Sequence, residues 1–181
     1  MGGSEKEVIG AYNAFVAEQK AIVEKNAIKA KMSLILFDNQ YDEVYTKLDI
    51  TQVPVLDEKT YFVRGMTALF DAVGKTIAKF EGKKKVIFFI ETDGQENSSR
   101  EYTQSALKTL VEKKKADGWD FNFVGADLDS ATAQSIGNSF GVSASKIDAF
   151  SKTTLGYQTR NASFAAATAA YVAPSAATGS K

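Results

Sequence analysis

Apolar residues recur along the first twenty-five positions at the spacing of one helical face: Val8, Ile9, Tyr12, Phe15, Val16, Ile22 and Val23. They predict a helix that ends near Lys25-Asn26. Ser4, with Glu7 three residues later, has the pattern of a capping box, in which each side chain satisfies an orphan backbone donor. Met32-Ser33-Leu34-Ile35-Leu36-Phe37 is a short apolar run of strand length, followed by turn chemistry at Asp38-Asn39-Gln40. From Glu43 to Leu48 polar and apolar residues alternate, which predicts a hairpin whose second strand lies at a sheet edge. Pro54 near its end suits an edge, because proline cannot donate to a ladder.

Helical spacing returns through Leu69, Phe70, Val73, Ile77 and Phe80, and Gly82 with Lys83-Lys84-Lys85 marks the end. Val86 to Ile90 is the most hydrophobic strand, read as the most deeply buried, and it stops at Glu91-Thr92-Asp93-Gly94. A third helix is predicted from about Ser99 to Ala116, with Tyr102, Leu107, Leu110 and Val111 inward. Trp119 to Val124 reads as a strand closed by Gly125-Ala126-Asp127. A short helix over Ala131 to Ser139, a strand over Ile147 to Phe150 and a last helix over Leu155 to Tyr171 follow. Within that helix, Ala165 to Ala170 reads as a face packed closely on the sheet. Beyond Pro174, small and polar residues predict a disordered tail over 174–181.

Strands alternating with helices predict an α/β domain over 1–173, with a mainly parallel sheet, helices on both faces and an antiparallel edge strand. Ligands in such folds bind beyond the carboxyl ends of the strands. That singles out the loops after Phe37, before Leu69, after Ile90 and after Val124. One feature departs from the usual order: the chain opens on a helix instead of a strand.

Composition narrows the chemistry. Lysine plus arginine total 22 and so do aspartate plus glutamate, so charge gives no reason to expect nucleic acid or an anionic membrane. The lysine runs at 83–85 and 113–115 read as solvated element ends. The 181 residues contain no cysteine and no histidine. Thiolate sites, disulfides and imidazole-based catalysis are therefore excluded, and the usual zinc ligands are missing. No stretch approaches the ~20 apolar residues of a membrane span. Met1-Gly2-Gly3-Ser4 leads straight into charged residues without a signal peptide, so a cytoplasmic location is expected.

Two loops carry the candidate chemistry. Gly65-Met66-Thr67-Ala68-Leu69 leads into a helix, and Thr92-Asp93-Gly94-Gln95-Glu96 follows the most apolar strand. A hydroxyl from Thr67 and a carboxylate from Asp93 are hard oxygen donors, suited to magnesium, manganese or calcium. In order and spacing these loops resemble the threonine and aspartate loops of the von Willebrand factor A family. Ile9-Gly10-Ala11-Tyr12-Asn13-Ala14-Phe15 is similar to the first helix of small stand-alone members from bacteria and phages. The resemblance runs from Met1 to about Tyr171.

It implies a Rossmann-like fold and a metal-ion-dependent adhesion site, at which an acidic residue of a protein partner can complete the ion's coordination. In that family an Asp-x-Ser-x-Ser loop joins the first strand to the first helix, and Met1-Gly2-Gly3-Ser4 is similar to the stretch just after it. The resemblance thus implies a partial site of Thr67 and Asp93, with Ser4 and Glu96 as rim candidates and divalent metal held weakly or not at all. It also implies two strands that face a gap or close over it, with the missing strand encoded upstream, or the slot filled by another segment, by a partner or by self-association through an exposed sheet edge.

Plainer readings stand beside these. Thr67 can cap the helix that follows, Asp93 can be a turn residue before Gly94, and Glu96 and Asn97 can line the rim or cap the next helix. Asp38 and Asp127 read as turn residues, and Tyr45, Tyr61 and Phe62 as packing. Two other functions are carried forward: a metal-independent accessory protein of an assembly, and a hydrolase using Asp38 and Asp93 as a carboxylate pair. No P-loop or Gly-x-Ser-x-Gly elbow supports the latter.

Overall fold

The first helix, α1 (Glu5–Lys25), has Glu5 and Glu7 in its first turn and Lys25 in its last, which complements the helix dipole. The protein is described by a computed structural model covering residues 5–61 and 65–173. Ser4, Phe62 and the tail from Pro174 lie outside the described residues. β1 (Lys31–Phe37) and β2 (Tyr41–Asp49) form the predicted antiparallel hairpin, and among the described residues β2 pairs with no other strand, as an edge strand should. A 3₁₀ turn follows at Ile50–Gln52. The remaining elements are α2 (Leu69–Lys79), β3 (Ile87–Thr92), α3 (Gln104–Ala116), β4 (Asp120–Ala126), α4 (Ser130–Ser139), β5 (Ile147–Phe150) and α5 (Thr154–Val172).

The third helix starts five residues later than its periodicity predicts. The amides of Arg100, Glu101 and Tyr102 donate to the Asp71 carboxylate instead of entering a helical ladder. Thr103 then caps the helix by accepting from the amide of Ala106. Tyr102 still packs inward, against the one place on α2 with no side chain: a Cβ on Gly74 would lie 2.5 Å from its ring.

β3, β4 and β5 form a parallel sheet with helices on both faces. Side chains alternate across it as a strand requires. Ile90, Phe121 and Phe123 join Leu69, Val73 and Ile77 of α2 and Leu107 and Val111 of α3 in one core. Phe89 and Val124 join Phe15 and Val16 of α1 and Phe164 of α5 in the other.

Of the two outcomes expected for the strands beside the gap, facing it or closing over it, the chain adopts the first and forms two sheets. Among the described residues no backbone hydrogen bond joins β1 to β3. Between them lies a cavity of about 1320 Å³. Every residue from Lys31 to Asp38 and from Val86 to Gly94 borders it. A strand that turned a face to the space would contribute every second residue; here both strands present an edge. Residues of α1 and α5 close one side of the slot and residues of α2 close the other.

The slot also overturns the expectation that the most apolar strand is the most buried. β4 is buried from Phe121 to Ala126, whereas Ile87, Phe88 and Phe89 of β3 remain partly exposed. A strand between two neighbours is sealed at both edges, but β3 is sealed only towards β4.

Two smaller expectations fail as well. Lys114 is not solvated: it is 1% exposed, donates to Glu81 and Asp117, and lies over the Trp119 ring. Ala166, Ala169 and Ala170 are exposed, and Phe164 and Thr168 are the packed residues of that part of α5. No helix among the described residues is long and apolar enough to cross a membrane.

Candidate functional site

The loops before α2 and after β3 meet at the carboxyl ends of β1 and β3. The amide of Ala68 donates to the carbonyl of Asp38 at 2.6 Å, which ties the threonine loop to the end of β1. The amide of Thr67 donates to Asn97 Oδ1 at 2.9 Å and the amide of Asn97 returns to the Thr67 carbonyl at 3.0 Å, tying the same loop to the end of β3. Gly94 makes this approach feasible: a Cβ there would sit 2.7 Å from Thr67 Oγ1. Thr67 and Asp93, distant in sequence, therefore stand at one edge, at the head of the slot.

Thr67 does not cap α2. Ala68 occupies the cap position without a side-chain bond. The first-turn amides, which have no partner within the helix, are met from the aspartate loop instead, Phe70 by Glu96 Oε2 at 2.9 Å and Asp71 by Ser99 Oγ at 3.1 Å. Glu96 also accepts from the amides of Ser98 and Ser99 and from the Ser99 hydroxyl. With both oxygens so engaged, Glu96 braces the loop and caps α2, not the next helix as expected, which Thr103 caps; as a rim ligand it would have to break these bonds.

Asp71 is the second brace. Burial acts to raise its pKa, but the three backbone donors outweigh it and hold the carboxyl below the usual aspartate value. Sequence reading did not single it out, since an acidic residue in a first helical turn reads as dipole complementation.

Asp93 does not stand open. Lys152, from the loop before α5, places Nζ 2.7 Å from Asp93 Oδ2 and 3.8 Å from Asp127 Oδ2. The backbone of Lys152 is fixed by the same loop, its amide donating to Asp127 Oδ1 at 2.7 Å. Asp127 adopts a positive φ of 54°, in keeping with the turn role predicted for it. An ammonium thus occupies the carboxylate face that a divalent ion would use.

Beneath this edge, Glu91 is ion-paired with Arg160 of α5. Burial pushes the Glu91 carboxyl up, against the pull of that guanidinium. Arg160 lies among the rings of Phe150, Tyr157 and Phe164. Its Nε and second Nη have no acceptor. Tyr61 borders the same space, and burial with the nearby charges of Glu91 and Asp93 raises its hydroxyl to about 12. Nothing in the sequence pattern marks Lys152 or Arg160, because both reach the site only through the fold.

The other candidates resolve simply. Asp38 is buried at the end of β1, where Oδ1 accepts from the Gln40 amide at 2.5 Å, the geometry of a turn residue. The Tyr45 hydroxyl bonds that of Tyr12. Among the described residues no group of three or more acidic side chains is placed to hold a metal ion. Thr67 and Asp93 are the oxygen donors the geometry brings together, and magnesium requires about six oxygens, several of which can be water. In comparisons with protein-family models, curated proteins and solved structures, the chain matches none of them.

Proposed function

We propose that this chain is a non-catalytic binding module, similar to von Willebrand factor A domains and Rossmann-like in arrangement. It meets a protein partner at the edge carrying Thr67 and Asp93. The observation that carries this reading is the convergence of those two residues where the carboxyl ends of β1 and β3 meet, held by Asn97, Glu96 and Asp71. Ligand edges of α/β proteins lie at such strand ends, and pre-organised loops there lower the ordering cost of binding.

The contact between Lys152 and Asp93 supports a mode of binding that does not depend on metal. A magnesium, manganese or calcium ion would have to displace the ammonium that pairs with Asp93 and lies 3.8 Å from Asp127, and would find few oxygen donors beside the Thr67 hydroxyl and these carboxylates. Its affinity in this chain is accordingly weak or nil, unless a partner's acidic residue adds ligands.

Partner retention on the immobilised chain tests the reading, comparing the unmodified protein with Asp93→Ala and Thr67→Ala, each with and without a chelator. Retention is expected to fall with either substitution and to survive chelation. Unchanged retention by both variants would refute the assignment of the edge. Saturable hydrolysis of a generic phosphoester, lost on Asp93→Ala, would refute the non-catalytic reading.

A further inference from the structure

The slot between β1 and β3 is unlike a small-molecule pocket. Ligand pockets usually measure about 300–1,000 Å³, and this cavity holds about 1320 Å³ in the form of a channel between two strand edges. The edges run the same way, since the ends of both strands meet the residues 67–68 loop at one end of the slot. Among the described residues, no backbone hydrogen bond crosses the gap from the row of donors and acceptors along each edge. Such edges are templates for an added strand.

The two ends differ in chemistry. At the amino ends of β1 and β3, four exposed lysines border the mouth: Lys29, Lys31, Lys83 and Lys85. The middle is apolar, with Leu34, Ile35, Phe88 and Phe89 among its lining. Towards the α1–α5 side stand three polar side chains that are almost fully buried: Gln19 at 5% exposure, Tyr157 at 3% and Arg160 at 7%. All three border the slot, and Gln19 Nε2, the Tyr157 hydroxyl, and Arg160 Nε and one Nη have no hydrogen-bond partner. Buried donors are rarely left without an acceptor, and each one costs stability until one arrives. These donors make the α1–α5 wall of the slot a place where an incoming acceptor would be bound.

We infer that the slot receives one extended segment, about seven residues long, from a partner polypeptide, which pairs with β1 and β3 together and joins the two sheets into one. β1 has seven residues, and at about 3.3 Å per residue a strand of that length spans about 23 Å. The segment runs parallel to both neighbours, as in a wholly parallel array. It is apolar along its middle, acidic at its amino end against the four lysines, and carries an oxygen-bearing side chain near its carboxyl end within reach of Arg160. The Thr67–Asp93 edge borders the head of the same slot, but the strand-edge pairing does not rest on the binding role proposed for those two residues.

The test uses the full chain and a synthetic peptide, Glu-Glu-Ile-Val-Leu-Val-Ile-Asn-Ser, with the reversed sequence as control. Amide hydrogen exchange is read residue by residue over β1 and β3. The forward peptide is expected to slow exchange at least tenfold at edge amides of both strands, and the reversed peptide to bind at least tenfold more weakly. Reversing the mouth with Lys29→Glu and Lys85→Glu is expected to weaken the forward peptide about fivefold. Lysines in place of the peptide's two glutamates should restore that loss, a rescue that a misfolded variant would not show. Protection of one strand alone, or none, overturns the inference. Equal binding of the reversed peptide does the same. So does a peptide-free dimer that protects the same amides, since a second copy would then be the occupant. Edge amides protected in the full chain but exposed in a chain ending at residue 173 would assign the slot to the tail, and would also overturn it.

Discussion

Replacing Asp71 tests whether the aspartate loop is held by one carboxylate. Asp71 is 8% exposed, with Oδ1 accepting from Glu101 at 2.9 Å and Tyr102 at 2.8 Å, and Oδ2 accepting from Arg100 at 2.8 Å. Hydrogen bonds to a charged group contribute about 1.5–3 kcal/mol each. The three share one carboxylate, and residues 100 and 101 are exposed, so water recovers part of the loss and the sum is not additive. Asp71→Ala is therefore expected to cost about 3–4 kcal/mol. Asp71→Asn keeps the volume but turns an amide donor towards a backbone donor, for about 2 kcal/mol.

The pH dependence has a definite sign. The folded carboxyl titrates below its unfolded value, about 3.9 for aspartate. Its contribution is thus complete above that value and is lost as pH falls through the folded pKa. Urea unfolding followed by Trp119 fluorescence should show a constant gap between the unmodified chain and Asp71→Asn from about pH 7 to 5. The gap should narrow below about pH 4. Exchange of the 100–102 amides should accelerate in the variant at neutral pH. A cost under about 0.5 kcal/mol, the range of an ordinary surface substitution, or a gap that ignores acid, would refute the brace.

Other substitutions probe separate parts. Gly74→Ala gains about 1 kcal/mol of helix propensity but drives a methyl into the Tyr102 ring, for about 1–3 kcal/mol. A net fall in Tm is expected, turning to a rise in a Tyr102→Ala background; a rise in both would refute the contact. Leu107, fully buried in the core between α2, α3 and the parallel sheet, should cost about 2–5 kcal/mol on truncation to alanine, measured by urea unfolding. Lys152→Met removes the ammonium from Asp93 and should raise magnesium affinity at least threefold by titration calorimetry. The unmodified chain should bind no tighter than millimolar, and micromolar affinity there would contradict the weak-metal reading.

Much of the fold is legible in sequence because it rests on local periodicity. The stripe Tyr12, Phe15, Val16 and Val23 can bury itself only as a helix, and the run from Met32 to Phe37 is too short and too apolar for anything but a strand. The acid-ended strands placed the site loops, and the threonine and aspartate loops do meet. Long-range contacts decided the rest. The helical spacing from Ser99 onward is genuine, yet Asp71 takes three amides from it, and no local pattern reports an acceptor that arrives from another helix. Lys114 looks like any lysine in a charged run until Glu81 and Asp117 close over it. Lys152 and Arg160 reach Asp93 and Glu91 across about sixty or more positions of chain.

The strand edges divide the two kinds of information most clearly. Sequence determines which face of β3 meets a helix, because alternation is written residue by residue. Whether an edge is paired depends on what lies beside it in space, and the tertiary structure shows β1 and β3 separated by a channel that no backbone hydrogen bond among the described residues spans. Faces are fixed by side chains, which the sequence specifies. Edges are backbone, which is the same in every residue, so only the fold decides what they pair with.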